Sequence, residues 1–331
     1  MADCTGLVSV NAAGENYLST FIPEDTHQQI LDRCPDVPEE FPSFPLPLQR
    51  VGISGKTVWV RLVDNKGGYI PFSATILVNL DANRRGIHMS RIEQAITSLH
   101  GKEFNSLPAY GTQLGNRILN TQNAHYLSLE LTGCLPVIRQ APVSRLDSID
   151  TIEVIYKLTL KKNKAGETSK AVVGASVHHL TACPCTLSYN EVLFNRFNDP
   201  WPQATHSQRS KTQLLVSPPH QEHLPSFHDL TFILDSALHI SQDLLKRPDE
   251  TELVLKAHRN PQFAEDTVRE VAWAAGEKFK DRLDPETRIE VHSLSQESIH
   301  IHDVQCSLDT RLKDILATLQ IIKQESKHGG K

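Results

Sequence analysis

The sequence predicts an α+β fold in two halves, each built of antiparallel strands with helices packed on one face. Three observations predict it. Short β-branched or alternating segments follow one another as hairpins, two long segments carry apolar residues at helical spacing, and the second half repeats the strand-and-helix order of the first. No residue-level repeat accompanies this order, so the division rests on the elements alone.

Prolines 35, 38, 42, 45 and 47 remove backbone donors and oppose helix, which predicts an extended arm over residues 1–50. Thr57–Val63 and Ala74–Leu80 are β-branched strands. Ser90–Leu99 is a helix, with Ser90 as candidate N-cap, Glu93 three residues on, and Ile92, Ala95, Ile96 and Leu99 on one stripe. His125–Leu131 and Ile152–Leu160 alternate as strands, and Thr168–Leu180 closes a hairpin with the latter. Lys211–Val216 is a short strand. Ser226–Lys246 is a long helix with a Lys246-Arg247-Pro248 stop, and Asn260–Leu283 is a second, capped by Asn260 with Pro261 at its first position. Thr287–Leu294 and Ser298–Cys306 form a closing hairpin, and an amphipathic helix starts at Leu308. The predicted organisation is thus an arm (1–50), a first half (51–182), a second half (183–325) and a disordered polar tail (326–331).

Composition narrows the class. The 331 residues are 39% hydrophobic and 22% charged, an ordinary globular balance. A net charge of -5 supplies no basic face for nucleic acid. No run is apolar for long enough to span a bilayer. Met1–Glu15 carries two acids and no basic n-region, so the expected compartment is the cytoplasm. Six cysteines are too few for a disulfide scaffold, while sixteen histidines, several near acids or cysteines, make a metal site worth testing.

Cys183-Pro184-Cys185 lies just past a predicted strand, in what the proline makes a loop. Its sulfurs suit zinc or iron, or are two packed thiols. The His206 imidazole suits zinc or ferrous iron, or proton transfer, and its neighbours Gln208, Arg209 and Lys211 are donors that suit a phosphate, or the stretch is simply a solvated loop. His300 and His302 alternate on the predicted strand, so both rings share a face, either as ligands and proton carriers or as the polar side of an ordinary strand. Glu265 and Asp266 open a helix, where the dipole alone explains acids, although a carboxylate there also matches the paired N–H groups of a guanine edge. Glu250 follows a helix stop as a surface acid or an oxygen ligand. Arg84, Arg85, His88 and Arg91 surround a helix start that could receive a triphosphate, or form a solvated helix end.

Together these stretches resemble one family, the type IB GTP cyclohydrolases, including the archaeal branch that makes dihydroneopterin cyclic phosphate. The matching pieces, in the family's order over roughly residues 50–305, are Gly86-Ile-His-Met-Ser-Arg91, Cys183-Pro-Cys185, His206-Ser-Gln-Arg-Ser210, Leu245-Lys-Arg-Pro-Asp-Glu250, Asn260-Pro-Gln-Phe-Ala-Glu-Asp266 and Glu297-Ser-Ile-His-Ile-His-Asp303. The resemblance implies a bimodular tunnelling fold and a homo-oligomer, a tetramer, with active sites at subunit interfaces and GTP as substrate. It implies a divalent metal (Fe2+, Mn2+ or Zn2+) on Cys183, His206 and Glu250, with Cys183, Cys185, His300 and His302 in catalytic or metal-proximal roles. Glu265 is the implied purine anchor, and His88, Ser90, Arg91 and Arg209 complete the implied substrate site. The implied activity opens the guanine ring at C8, releases formate and yields a dihydroneopterin phosphate for folate or pterin synthesis. A tunnelling-fold enzyme on another purine or pterin, and a non-catalytic nucleotide- or metal-binding oligomer, are the alternatives. This chain departs from the family in one place: the connection from Cys185 to His206 is lengthened by Glu191-Val-Leu-Phe-Asn-Arg-Phe-Asn-Asp-Pro-Trp201.

Overall fold

The computed structural model describes residues 21–63, 68–163, 166–197 and 199–328, with side chains described as far as residue 322. The first twenty residues of the predicted arm and residues 329–331 of the predicted tail lie outside the described residues. The fold is α+β, with two compact units: residues 1–130 plus 159–168, and residues 131–158 plus 169–331.

In the first unit the arm is not wholly extended, because α1 (Glu24–Leu31) precedes the proline cluster. The strands β1 (Leu48–Leu62) and β2 (Tyr69–Leu80) pair antiparallel, with register shifts at Leu48/Val51 and Ile53/Lys56. The helix α2 (Met89–Thr97) takes His88, not Ser90, as its N-cap. A short β3 (Glu103–Phe104) pairs parallel with β1 and leads into α3 (Leu107–Thr121). Sequence reasoning missed α3, although its start carries Ser106, whose side chain accepts from Ala109 N, and Pro108 in the first turn. Its buried stripe of Leu107, Tyr110, Leu114 and Ile118 faces α2, β1 and β3, and Phe104 meets the Tyr110 ring edge-on at 5.2 Å.

Three long strands serve both units: β4 (Tyr126–Gln140), β5 (Asp147–Asn163) and β6 (Gly166–Ala182). The second unit continues with α4 (Pro184–Phe194), β7 (Ser207–Ser217), α5 (Phe227–Ala237), β8 (His239–Ile240), α6 (Arg247–Arg259), α7 (Ala264–Phe279), β9 (Arg288–Gln296), β10 (Val304–Arg311) and α8 (Leu312–His328). Its strand order is β10-β9-β7-β6-β5-β4, with β8 on β6. The pairs β6–β7, β7–β9 and β9–β10 are antiparallel. The strand alternation predicted for β5 is seen directly: Ile152, Val154, Tyr156, Leu158 and Leu160 are all buried. α7 packs on β7, β9 and β10, with α5 and α8 beside it.

Three expectations are corrected here. Lys246-Arg247-Pro248 starts a helix instead of stopping one: the first long helix ends at Ala237, and Pro248 sits in the first turn of α6, where it sacrifices no helical hydrogen bond. Asn260 is the C-cap of α6, and α7 begins later, where the Asp266 carboxylate accepts from Phe263 N at 3.0 Å. His300 and His302 belong to the turn between β9 and β10, not to a strand, because pairing resumes only at Val304 opposite Ser295.

A candidate metal and purine site at the strand ends

β6 ends at Ala182, directly opposite Ser207 of β7, and Cys183 N donates to His206 O at 3.0 Å. Cys183 and His206 therefore face each other across two neighbouring strands. Pro184 does not leave a loop behind it, as the sequence suggested. It occupies the first turn of α4, with Cys183 at the N-cap and Cys185 one position further in. Thr186 Oγ1 donates to Cys183 Sγ at 3.8 Å, and Thr205 Oγ1 to Cys183 O at 2.7 Å. Cys183 and His206 are half-buried and Cys185 is exposed.

The connection from α4 to β7 is anchored at its far end. Asn195 closes α4 in the left-handed conformation at φ 54. The Arg259 guanidinium then lies 5.6 Å from the Trp201 ring centre and donates to Pro200 O at 2.9 Å, while Asn190 donates to Ala204 O at 2.6 Å. His206 then reaches the strand end, where its carbonyl accepts from Cys183 N.

His206 Nδ1 lies 3.2 Å from Gln208 Oε1; a proton donated there leaves the Nε2 lone pair for a metal. The His300 ring stands edge-on to His206 with centres 6.3 Å apart, and His302 stacks on His300 at 5.3 Å. The β9–β10 turn therefore brings His300 to the His206 imidazole, with His302 stacked behind it, beside the strand end that leads into Cys183. A soft thiolate beside imidazoles suits zinc or ferrous iron. Among the described residues, Cys183, His206 and Glu250 are not drawn into a cluster with all donor atoms within 4.8 Å.

Glu250 is exposed in the first turn of α6. The residue before it fixes that turn: the fully buried Asp249 carboxylate accepts from Val143 N at 2.8 Å and from Ser144 N and Lys246 N at 2.9 Å. Burial pushes Asp249 up, but the bonds from Ser144, Lys246 and Val143 together outweigh it and hold the carboxyl well below the usual range. Glu265 is exposed in the first turn of α7. Arg209 donates to Gln296 Oε1 at 3.1 Å and lines a cavity of about 240 Å³ with Arg139, Asp150 and His178. A larger groove of about 470 Å³, bordered by Arg139, His239, Glu252 and Lys256, contains none of the candidate residues.

The remaining candidates, His88, Ser90 and Arg91, lie in the first unit. There the arm supplies acids that sequence reasoning had not linked to them. His88 Nε2 is 2.8 Å from Glu39 Oε1, Arg84 pairs with Glu39 at 2.9 Å and Arg85 with Glu40 at 2.8 Å. Bonds from His88 and then Arg84 hold Glu39 below the usual carboxylate range. Asp36, Glu39 and His88 bring donor atoms within 4.8 Å of one another, but Arg84 already neutralises Glu39. Ser90 is exposed, and Arg91 donates to Thr121 O at 3.3 Å.

Long antiparallel strands with helices packed on them within each unit are the architecture of a bimodular tunnelling-fold protein. Solved structures agree on the fold: a uricase from Bacillus fastidious superimposes with a TM-score of 0.50 at 8% identity, covering 81% of this chain and 95% of that one. One from Arthrobacter globiformis gives 0.51 at 8% identity over 80% and 93%. Residues 34–306 match the family described as type I GTP cyclohydrolase folE2, and the chain belongs to that family. Among curated relatives, GTP cyclohydrolase MptA of Methanosphaera stadtmanae is 28% identical over 291 residues, covering 81% of this chain and 92% of the relative. That of Methanococcus maripaludis is 28% identical over 313 residues, covering 88% and 99%.

Proposed function

We propose that this chain is a divalent-metal-dependent GTP cyclohydrolase that opens the guanine ring at C8, releases C8 as formate and yields a 7,8-dihydroneopterin phosphate. The observation that carries the reading is the approach of His300, with His302 stacked on it, to His206 beside the strand end that leads into Cys183, in a chain of this family. Cys183 and His206 would hold the ion, with Glu250 as third ligand. When bound, such an ion supplies Lewis-acid activation of water near neutral pH. The protein's own part is orientation and proton transfer. Glu265 accepts the N–H and amino groups of the guanine edge, Arg209 takes a phosphate, and His300 or His302 protonates the departing ring nitrogen. A homotetramer with sites at subunit interfaces fits the exposure of Tyr189, Val192, Leu193 and Phe194 along α4 in the single chain.

The test is an anaerobic assay of metal-depleted protein with GTP, restoring Fe2+, Mn2+ or Zn2+ separately and following formate and pterin together. Metal-dependent formate release, lost in Cys183→Ala and His206→Ala, is the expected result, and the product's mass distinguishes triphosphate from cyclic phosphate. GTP binding without formate under every metal overturns the reading in favour of a binding protein.

A further inference from the structure

On the helix-covered face of the second unit, three adjacent strands change character at the same level. β6 buries Ala171, Val173, Ala175 and Val177, then His179 and Thr181. β7 buries Ser210 and Thr212 before Leu214 and Val216, and β9 buries Ile289 and Val291 before Ser293 and Ser295. Thr212 is paired with Ser293 and Ser210 with Ser295, so the polar residues form rungs across the sheet. Hydroxyl and imidazole groups in such a place must bond to one another, since each isolated one would cost on the order of 1–3 kcal/mol.

The inner rung reaches α7. His179 Nε2 lies 2.8 Å from Thr212 Oγ1, Thr212 Oγ1 2.9 Å from Ser293 Oγ, Ser293 Oγ 3.1 Å from Thr267 Oγ1, and Thr267 Oγ1 2.7 Å from Ala264 O. Each hydroxyl has one proton, and a carbonyl only accepts. The shortest hydroxyl link, at Ala264 O, takes the Thr267 proton. Ser293 Oγ accepts from Thr212 and is a second, longer acceptor for the Thr267 hydroxyl, and His179 donates from Nε2. This order leaves the lone pair on His179 Nδ1, the buried ring nitrogen that has no hydrogen-bond partner. The donors from β7 and α7 converge on Ser293, and the network ends one residue before Glu265.

We propose that Thr212, Ser293 and Thr267 are positioning residues for Glu265: their linked hydroxyls seat the first turn of α7 on the sheet, so that the carboxylate meets the guanine edge in a single orientation. This rests on Glu265 being the purine anchor. A displaced anchor weakens recognition of the guanine amino group in particular. The quantity to measure is therefore the preference of the full, metal-depleted chain for GTP over inosine triphosphate, which lacks that amino group, by calorimetric titration, with KM and kcat for GTP in the metal-restored enzyme.

Ser293→Ala and Thr212→Val should each lower the GTP preference about 5- to 10-fold and raise KM in step, with kcat within about twofold. Thr212→Ser, which keeps the hydroxyl, should restore both. Glu265→Gln is the control for the underlying reading and should abolish the preference. Loss of preference in Glu265→Gln but not in Ser293→Ala or Thr212→Val overturns the positioning role alone. An unchanged preference in Glu265→Gln overturns the anchor and the proposal with it. If Thr212→Val does not fold, Ser293→Ala decides the matter.

Discussion

Replacing Asp229 by asparagine tests how the helix that carries Glu265 is held at its other end. Asp229 is in the first turn of α5, where it accepts from Ser226 Oγ at 2.9 Å and Ser226 N at 3.3 Å. It also takes two bonds from Arg282, at 2.9 and 3.1 Å, and Lys278 lies 3.4 Å away. Lys278 is in the last turn of α7 and Arg282 just beyond it, so one carboxylate ties the start of α5 to the end of α7. The Arg282 side chain is 51% exposed, so solvent screening reduces the pair to about 1 kcal/mol. The weakened cap adds about 1 kcal/mol, for roughly 2 kcal/mol in all. Urea unfolding should show this loss at about pH 7, and a double-mutant cycle with Arg282→Gln should return about half of it as coupling. The Arg282 bond is the largest influence on Asp229; with Ser226 it outweighs burial and holds the carboxyl well below the usual range. A depressed folded pKa gives stability that is complete above the unfolded value of about 3.9 and is lost as pH falls through the folded one. The difference between wild type and variant should therefore be constant from about pH 7 to pH 5 and narrow only below about pH 4. A difference under about 0.5 kcal/mol, no coupling, or a difference that widens on acidification refutes this account.

Gly276→Ala in α7 would place a Cβ 2.6 Å from Ile315 Cγ2 and 3.1 Å from Leu319 Cδ1 of α8. Overpacking of about 1–3 kcal/mol should exceed the roughly 1 kcal/mol gained in helix propensity, and the melting temperature should fall by a few degrees. A rise would mean that α8 gives way freely. Burial, reinforced by repulsion from His239, pushes His179 down to about 3. The unfolded chain then binds a proton that the folded chain does not, so stability is complete above about pH 6.5 and declines toward pH 3, at up to about 1.4 kcal/mol per unit. Urea titrations should show wild type losing more stability than His179→Gln between about pH 7 and pH 5.5, whereas parallel losses would contradict it.

The strands were legible because one face of each is buried, and period two survives in the residues themselves, as in Ile152 to Leu160. Helix boundaries were less so. Proline at 248 is compatible with a helix start and with a stop, and only the partners of Asp249 decide for a start. Cys-Pro-Cys was placed correctly at a strand end but its helix was missed, since proline is favourable at a first helical turn and unfavourable anywhere later. His300 and His302 mimic strand alternation, yet their neighbours Ile299 and Ile301 are exposed, and the rings approach each other through a turn. The acidic partners of the basic cluster at α2 lie some 45 residues away in the arm, a separation across which no local pattern carries information. The hydroxyl chain was invisible for the same reason: its members come from four separate elements, and none is unusual alone.

β6 has a consequence for how this protein tolerates change. Up to Val177 its inward side chains are plain hydrocarbon; from His179 onward they are hydrogen-bonding groups, and the strand then hands over to Cys183. A single uninterrupted stretch of backbone therefore has two kinds of sensitivity along its length. In a library scored separately for cellular abundance and for turnover, substitutions at Ala171 to Val177 should reduce abundance. Those from His179 to Cys183 should reduce turnover in protein that still accumulates. The border between a position that sustains the molecule and one that equips it falls within a single step of the pleat.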